Sequence, residues 1–133
     1  MTTLNNKSNT LRLLYPQWQG GVISQWFPNL SPKDAATGYH LGARLLQFLA
    51  PENPDQLTVE VPTDMNYVDE KTEQGISRRK AILKQTQAAL EIVNAQNPER
   101  IVTFGGECSS SVVPFTYLAN KYPDDVAVVW IDA

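Results

Sequence analysis

The period of the apolar positions changes several times along the chain, and each change marks an element. Residues 11–16, "LRLLYP", are a short apolar run closed by Pro16; they predict a first strand opening into the loop "QWQGG". In "SPKD", Ser31 is set to cap a helix, with Pro32 at its first position and Asp34 completing a capping-box pattern. Leu41, Leu45, Phe48 and Leu49 then fall on one helical face, and "APENP" stops the helix. Gly38 and Gly42 weaken the first turns and favour a later start. Residues 57–62, "LTVEVP", alternate weakly and read as a second strand. The loop "TDMNYVDEKTEQG" leads into a long helix over residues 76–95, with Ile82, Thr86, Ala89, Leu90 and Val93 along one face and "NAQNP" at its end. "RIVTF" predicts a third strand. "SSSVVPFTYLANKY" predicts a third helix, with Pro114 in its first turn and a serine available as N-cap. "DVAVVWI" is nearly all apolar and predicts a fourth strand, buried on both faces.

Strands and helices therefore alternate. Alternation of this kind predicts an α/β fold with a mostly parallel sheet, right-handed crossovers and helices on both faces, a three-layer α/β/α arrangement. The 133 residues suit one domain, and no internal repeat, low-complexity run or interdomain linker divides them. With 42% hydrophobic and 19% charged residues the chain is globular in composition. A net charge of −3 argues against a nucleic-acid or anionic-membrane binder, and the basic cluster "SRRK" reads as a solvated helix face. No stretch approaches the ~18 apolar residues of a membrane span, and "MTTLNNKSNT" lacks the apolar core of a signal peptide. The single cysteine rules out an internal disulfide framework and fits a reducing compartment, so the expected location is the cytoplasm.

In open α/β sheets the ligand site lies beyond the carboxyl ends of the strands. Two candidate stretches are at such ends: "FGGECSSS" after "RIVTF", and "DA" after "DVAVVWI". The glycines allow a tight turn and a close backbone approach. Phosphate binding at the following helix is one possibility, although neither G-x-G-x-x-G nor a P-loop lysine is present. A second is Cys108 as a nucleophile, favoured by the helix N-terminus and opposed by the neighbouring Glu107; the only histidine, His40, lies in the first helix. A metal site built from Cys108 and Asp132 is a third, and plain packing a fourth. Trp130 reads as core. Trp18 and Trp26 read as loop aromatics, while Asn66, Tyr67 and Asp69 lie on the same rim as the glycine-rich turn.

"IVTFGGECS", a helix, then "PDDVAVVWIDA" resembles the arginase, agmatinase and formiminoglutamase group, the ureohydrolases. Their pattern is an apolar strand into Gly-Gly-Asp-His-Ser, a helix, then an apolar strand into Asp-Ala-His-x-Asp. Gly105, Gly106, Glu107, Cys108 and Ser109 stand on the first motif; Asp132 and Ala133 stand on the start of the second. "PQWQGG" and "GYHLGARLLQFLAP" look like the opening loop and first helix of bacterial arginase-like members.

The resemblance implies a binuclear manganese hydrolase that cleaves the C–N bond of a small guanidino or formimino substrate, in a family that often forms homo-oligomers. It makes Asp132 and Cys108 metal ligands, with Cys108 in place of histidine, and Glu107 an acidic neighbour of the ligands. A thiolate is softer than manganese prefers, so zinc or iron are alternatives and lower manganese affinity is expected. The His and Asp that should follow Ala133, and a later Asp-x-Asp, are not in these residues. The chain accordingly reads as the N-terminal part, residues 1–133, of a single arginase-like domain: an incomplete sheet, inactive by itself. The alternatives are a cysteine-dependent amidase-like domain using Cys108 and a non-catalytic relative of the ureohydrolase fold.

Overall fold

A computed structural model describes residues 9–54, 56–65 and 72–132. Asn66, Tyr67, Asp69 and Ala133 lie outside the described residues. Strand β1 (Thr10–Tyr15) is followed by a single helical turn, α1 (Ile23–Trp26), and the long helix α2 (Pro32–Leu49). Then come β2 (Thr58–Glu60), a small hairpin of β3 (Thr72–Glu73) and β4 (Ile76–Ser77), helix α3 (Arg79–Gln96), β5 (Arg100–Gly105), a 3-10 turn (Cys108–Ser111) and α4 (Val112–Lys121).

The main sheet is parallel throughout, in the order β2-β1-β5. Alternate side chains of β1 point to opposite faces, as the pleat requires. Leu11, Leu13 and Tyr15 pack with Ala89 and Val93 of α3 and Val113 of α4, whereas Leu14 packs with Phe104 and with Ala43 of α2. Helices thus cover both faces, and the expected three-layer arrangement is present over these strands. Any one of those buried Val or Leu side chains contributes about 1.5–3 kcal/mol by leaving water.

Local signals place the ends of α2. Ser31 Oγ accepts from Asp34 N at 3.1 Å and donates to Asp34 Oδ2 at 2.7 Å, and the helix starts at Pro32. The delayed start expected from Gly38 and Gly42 does not occur, because the cap and Pro32 outweigh their helix cost of about 1 kcal/mol each. At the other long helix the expectation fails. α3 starts at Arg79, because residues 72–77 turn back on themselves as the hairpin β3–β4 around Gly75, whose φ is +79°. The last helix is also capped differently: Ser111 makes no capping side-chain bond, and Glu107 instead accepts from Ser109 N to cap the 3-10 turn.

Two predicted core faces are not core among the described residues. α2 sits on the sheet through its small residues, Ala36 and Ala43, and turns Leu41, Leu45, Phe48 and Leu49 outward; Phe48 is 83% exposed. Small side chains let the helix approach the sheet closely, so the wide apolar stripe faces away. Residues 126–131 form no strand: Val128, Val129 and Trp130 are exposed and Ile131 is 92% exposed. The side chain of Trp130 makes a T-shaped contact with Phe115, with ring centroids 6.4 Å apart, but is 53% exposed and so not core. Trp18, by contrast, is buried at 3% exposure. No described helix is long and apolar enough to cross a membrane.

A candidate site at the sheet's switch point

From β1 the chain crosses to β2 on one side, through α2, and later to β5 on the other side, through α3. The connections therefore diverge between β1 and β5, the topological switch point, where open α/β sheets commonly place a ligand site. The register runs to Tyr15 opposite Gly105, so "PQWQGG" and "GGECSSS" leave the sheet side by side.

Backbone bonds continue the ladder past the strands. Gly106 N donates to Tyr15 O at 3.0 Å, and Glu107 N donates to Gln17 O at 2.9 Å. The two chains are so close here that a Cβ on residue 106 would lie 1.8 Å from Gln17 O. At Gly20 a Cβ would stand 2.9 Å from the carboxylate of Glu107. Gly106 is thus needed for the two loops to touch, and Gly20 eases the contact; neither has positive φ.

Side chains tie the contact together. Gln17 Nε2 donates to Glu107 Oε1 at 2.6 Å and also to Ser109 Oγ, and Ser109 Oγ donates to Glu107 Oε1. Ser109 N donates to Glu107 Oε2 at 2.8 Å. Both carboxylate oxygens of Glu107 are thereby held by donors from two loops. Its role in this structure is to fix the turn that carries Cys108, which is exposed.

Behind this turn lies a buried amide network. Gln17 Oε1 accepts from Tyr15 Oη at 2.7 Å and from Gln85 Nε2 at 3.1 Å. Gln85 Nε2 donates also to Gln19 Oε1 at 3.0 Å, and Gln85 Oε1 accepts from Asp64 N at 2.7 Å. Gln19 Nε2 and Trp18 Nε1 both donate to Asp64 O, at 2.7 and 2.9 Å. Gln85 of α3 joins the loops after β1 and β2, and Gln17 joins the first of these to the turn after β5. Buried amides satisfied on every side stiffen a site, because opening any one of them strands several polar groups.

Tyr15 adds a pH dependence. Burial pushes its phenol from the ordinary 10.0 up to about 12; a hydrogen bond with Thr86 opposes the shift and the charge of Glu107 adds to it. The folded value lies above the unfolded one, so this contribution is fully present below about pH 10 and is lost as pH rises through about 12. Urea titrations of wild type and Tyr15→Phe across this range should diverge by on the order of 2 kcal/mol, with the wild type showing the steeper fall. Equal slopes would remove Tyr15 as the cause. Tyr39 of α2 is shifted upward too, first by burial and then by the charges of Glu107 and Cys108, which keeps its phenol protonated beside the turn.

Of the residues expected at the site, Gly105, Gly106, Glu107, Cys108 and Ser109 form one turn at the switch point. Asp132 is exposed at the far end of residues 126–132, with Trp130 Nε1 at 3.4 Å from its Oδ2. Among the described residues no group of three or more His, Cys, Asp or Glu side chains is placed to hold a metal ion. His40 Nδ1 is buried in α2 without a hydrogen-bond partner among the described residues. The network residues Gln17, Gln19 and Gln85 were not anticipated. The signal for Gln85 was available, since it lies four and eight residues before Ala89 and Val93 on the buried stripe of α3.

Fold and rim together define an open parallel α/β protein whose candidate site lies at a topological switch point. No protein-family model and no curated protein matches the chain.

Proposed function

We propose that the chain supplies the N-terminal half of an arginase-like ureohydrolase, which hydrolyses a guanidinium or amidine C–N bond of a small molecule. The observation that carries this reading is the turn "GGECS", locked by Gln17 and Gly106 against the first loop at the switch point between β1 and β5. Supporting it are the outward apolar stripe of α2, the open edge of β5 and the exposed apolar residues 126–131. These are the surfaces that further strands and helices of a larger sheet would cover.

The donors described here do not fit two manganese ions by themselves. Cys108 is an exposed thiol and a soft ligand, both oxygens of Glu107 are engaged in its own turn, and no three-residue donor cluster exists among the described residues. The part played by this chain is therefore to shape the cleft and present Cys108 and Asp132 to it; hydrolysis belongs to the whole enzyme.

Sequencing the encoding gene past codon 133 is the decisive test. His-x-Asp directly after Ala133, an Asp-x-Asp farther on, and manganese-dependent urea or amide release by the full encoded protein are the expected results. In that protein Cys108→His should tighten manganese binding, measured by electron paramagnetic resonance titration. A stop codon, unrelated sequence, or no turnover of arginine, agmatine, guanidinobutyrate or formiminoglutamate would overturn the proposal.

A further inference from the structure

α2 keeps its small residues for the sheet, and the large ones it turns away are not scattered. Leu41, Leu45 and Phe48 follow one another at helical spacing, each more than half exposed, and Gly38 precedes them on the same face. Arg44, the one permanently charged residue between Gly38 and Leu49, is drawn aside by two bonds to Glu60, at 2.7 and 2.8 Å. The face is therefore uncharged over about three turns.

Two neighbours would cover different sides of this helix. A groove of about 550 Å³ runs between α2 and Gly105 of β5, lined by Ala35, Gly42 and Leu46. That is the flank on which a further helix of the same layer would pack. Leu41 and Phe48 do not line it. At 100° per residue they lie on the side opposite the buried Ala36 and Ala43, pointing out of the layer. Growth of the sheet covers the flank and leaves Leu41 and Phe48 in water.

Their spacing suits a second copy of the same helix. Gly38 stands three residues before Leu41, and Phe48 three residues after Leu45. An antiparallel two-fold pair with its axis level with residue 43 therefore sets Leu41 against the partner's Leu45, and Phe48 over the partner's Gly38. Each contact occurs twice, as an isologous interface requires. Gly38 is an open seat for the ring, since a Cβ there meets nothing within 4 Å. Leu41, Leu45, Phe48 and Leu49 together expose on the order of 500 Å², a size at which a patch on a monomer is commonly functional. Trp26 and Phe27, exposed on the turn leading into α2, bring this to about the 800 Å² per partner of a stable interface.

We infer that the outer face of α2 is a homodimer interface, in which Phe48 of each copy seats on Gly38 of the other. The inference goes beyond the proposed hydrolase and depends on neither metal nor turnover.

Sedimentation equilibrium of the full encoded protein tests it, with circular dichroism to follow the fold. A concentration-dependent assembly is expected, and Phe48→Glu should halve its mass. Gly38→Leu is the sharper variant. Within one copy it fills empty space and replaces a weak helix former, so the separated subunit should melt no lower than wild type. Between copies it occupies the seat of Phe48, so the dissociation constant should rise by about tenfold or more. A monomer at about 100 µM overturns the inference, whether this face stays in water or the rest of the encoded chain covers it. So does an assembly whose dissociation constant is unchanged in either variant that folds.

Discussion

Gly106→Ala should unfold the protein or come close to it. The added methyl would lie 1.8 Å from Gln17 O, with Gln17 C and N at 2.7 and 2.8 Å. All three atoms are backbone of the loop leaving β1, so no flexible side-chain end can give way. Relief requires breaking the bonds from Gly106 N to Tyr15 O and from Glu107 N to Gln17 O, and with them the contact of the two loops. A loss above about 4 kcal/mol is expected, a large fraction of the roughly 5–15 kcal/mol that stabilises a typical domain. Gly42→Ala is the matching control, since a Cβ there meets nothing within 4 Å in the middle of α2. It should stabilise by about 0.5–1 kcal/mol. Chemical denaturation followed by circular dichroism reads both; a Gly106→Ala protein as stable as wild type would refute the loop contact.

Gln85→Leu is expected to cost about 3 kcal/mol. The leucine would match the apolar stripe of α3 and raise its helix propensity, so a purely local view predicts a gain. The tertiary view predicts the loss, because Asp64 N, Gln17 Oε1 and Gln19 would each forfeit a partner inside the protein. Gln85→Glu separates hydrogen bonding from charge. Its carboxylate could still accept from Asp64 N but, when ionised, could donate to neither glutamine. Burial would raise its folded pKa above the unfolded value, so the variant should be more stable at acidic than at neutral pH. Equilibrium unfolding of both variants at two pH values decides it; a Gln85→Leu protein more stable than wild type would show that the network is not worth its desolvation.

The elements that sequence located well were those with local causes. Ser31, Pro32 and Asp34 define the start of α2 because capping is settled within four residues. β1 and β5 follow from short apolar runs, and parallel pairing follows from the helices between them. The glycine-rich turn is found at a strand end for the same reason, and the structure puts that end beside the switch point. An apolar pattern does not by itself mean burial in this chain. Leu41, Leu45, Phe48 and Leu49 share a face as the 3.6-residue period requires, yet that face is outward, because Ala36 and Ala43 offer the closer fit to the sheet. The same holds for residues 126–131, whose composition asks for a buried strand and which pair with no strand among the described residues.

Sequence alone determined the alternation of the first three predicted strands with their helices, the cap of α2 and the position of the "GGECS" turn. Those are properties of neighbours along the chain. Only the tertiary structure decided that Gln17, Gln19 and Gln85 meet, that Glu107 is spent on holding its own turn, and that Arg78 lies buried against Trp18 beside a polar pocket. The bonds of this rim join residues up to 92 positions apart. They arise because the crossover connections bring three strand ends to one rim, and the spacing of residues in the sequence carries no record of that distance.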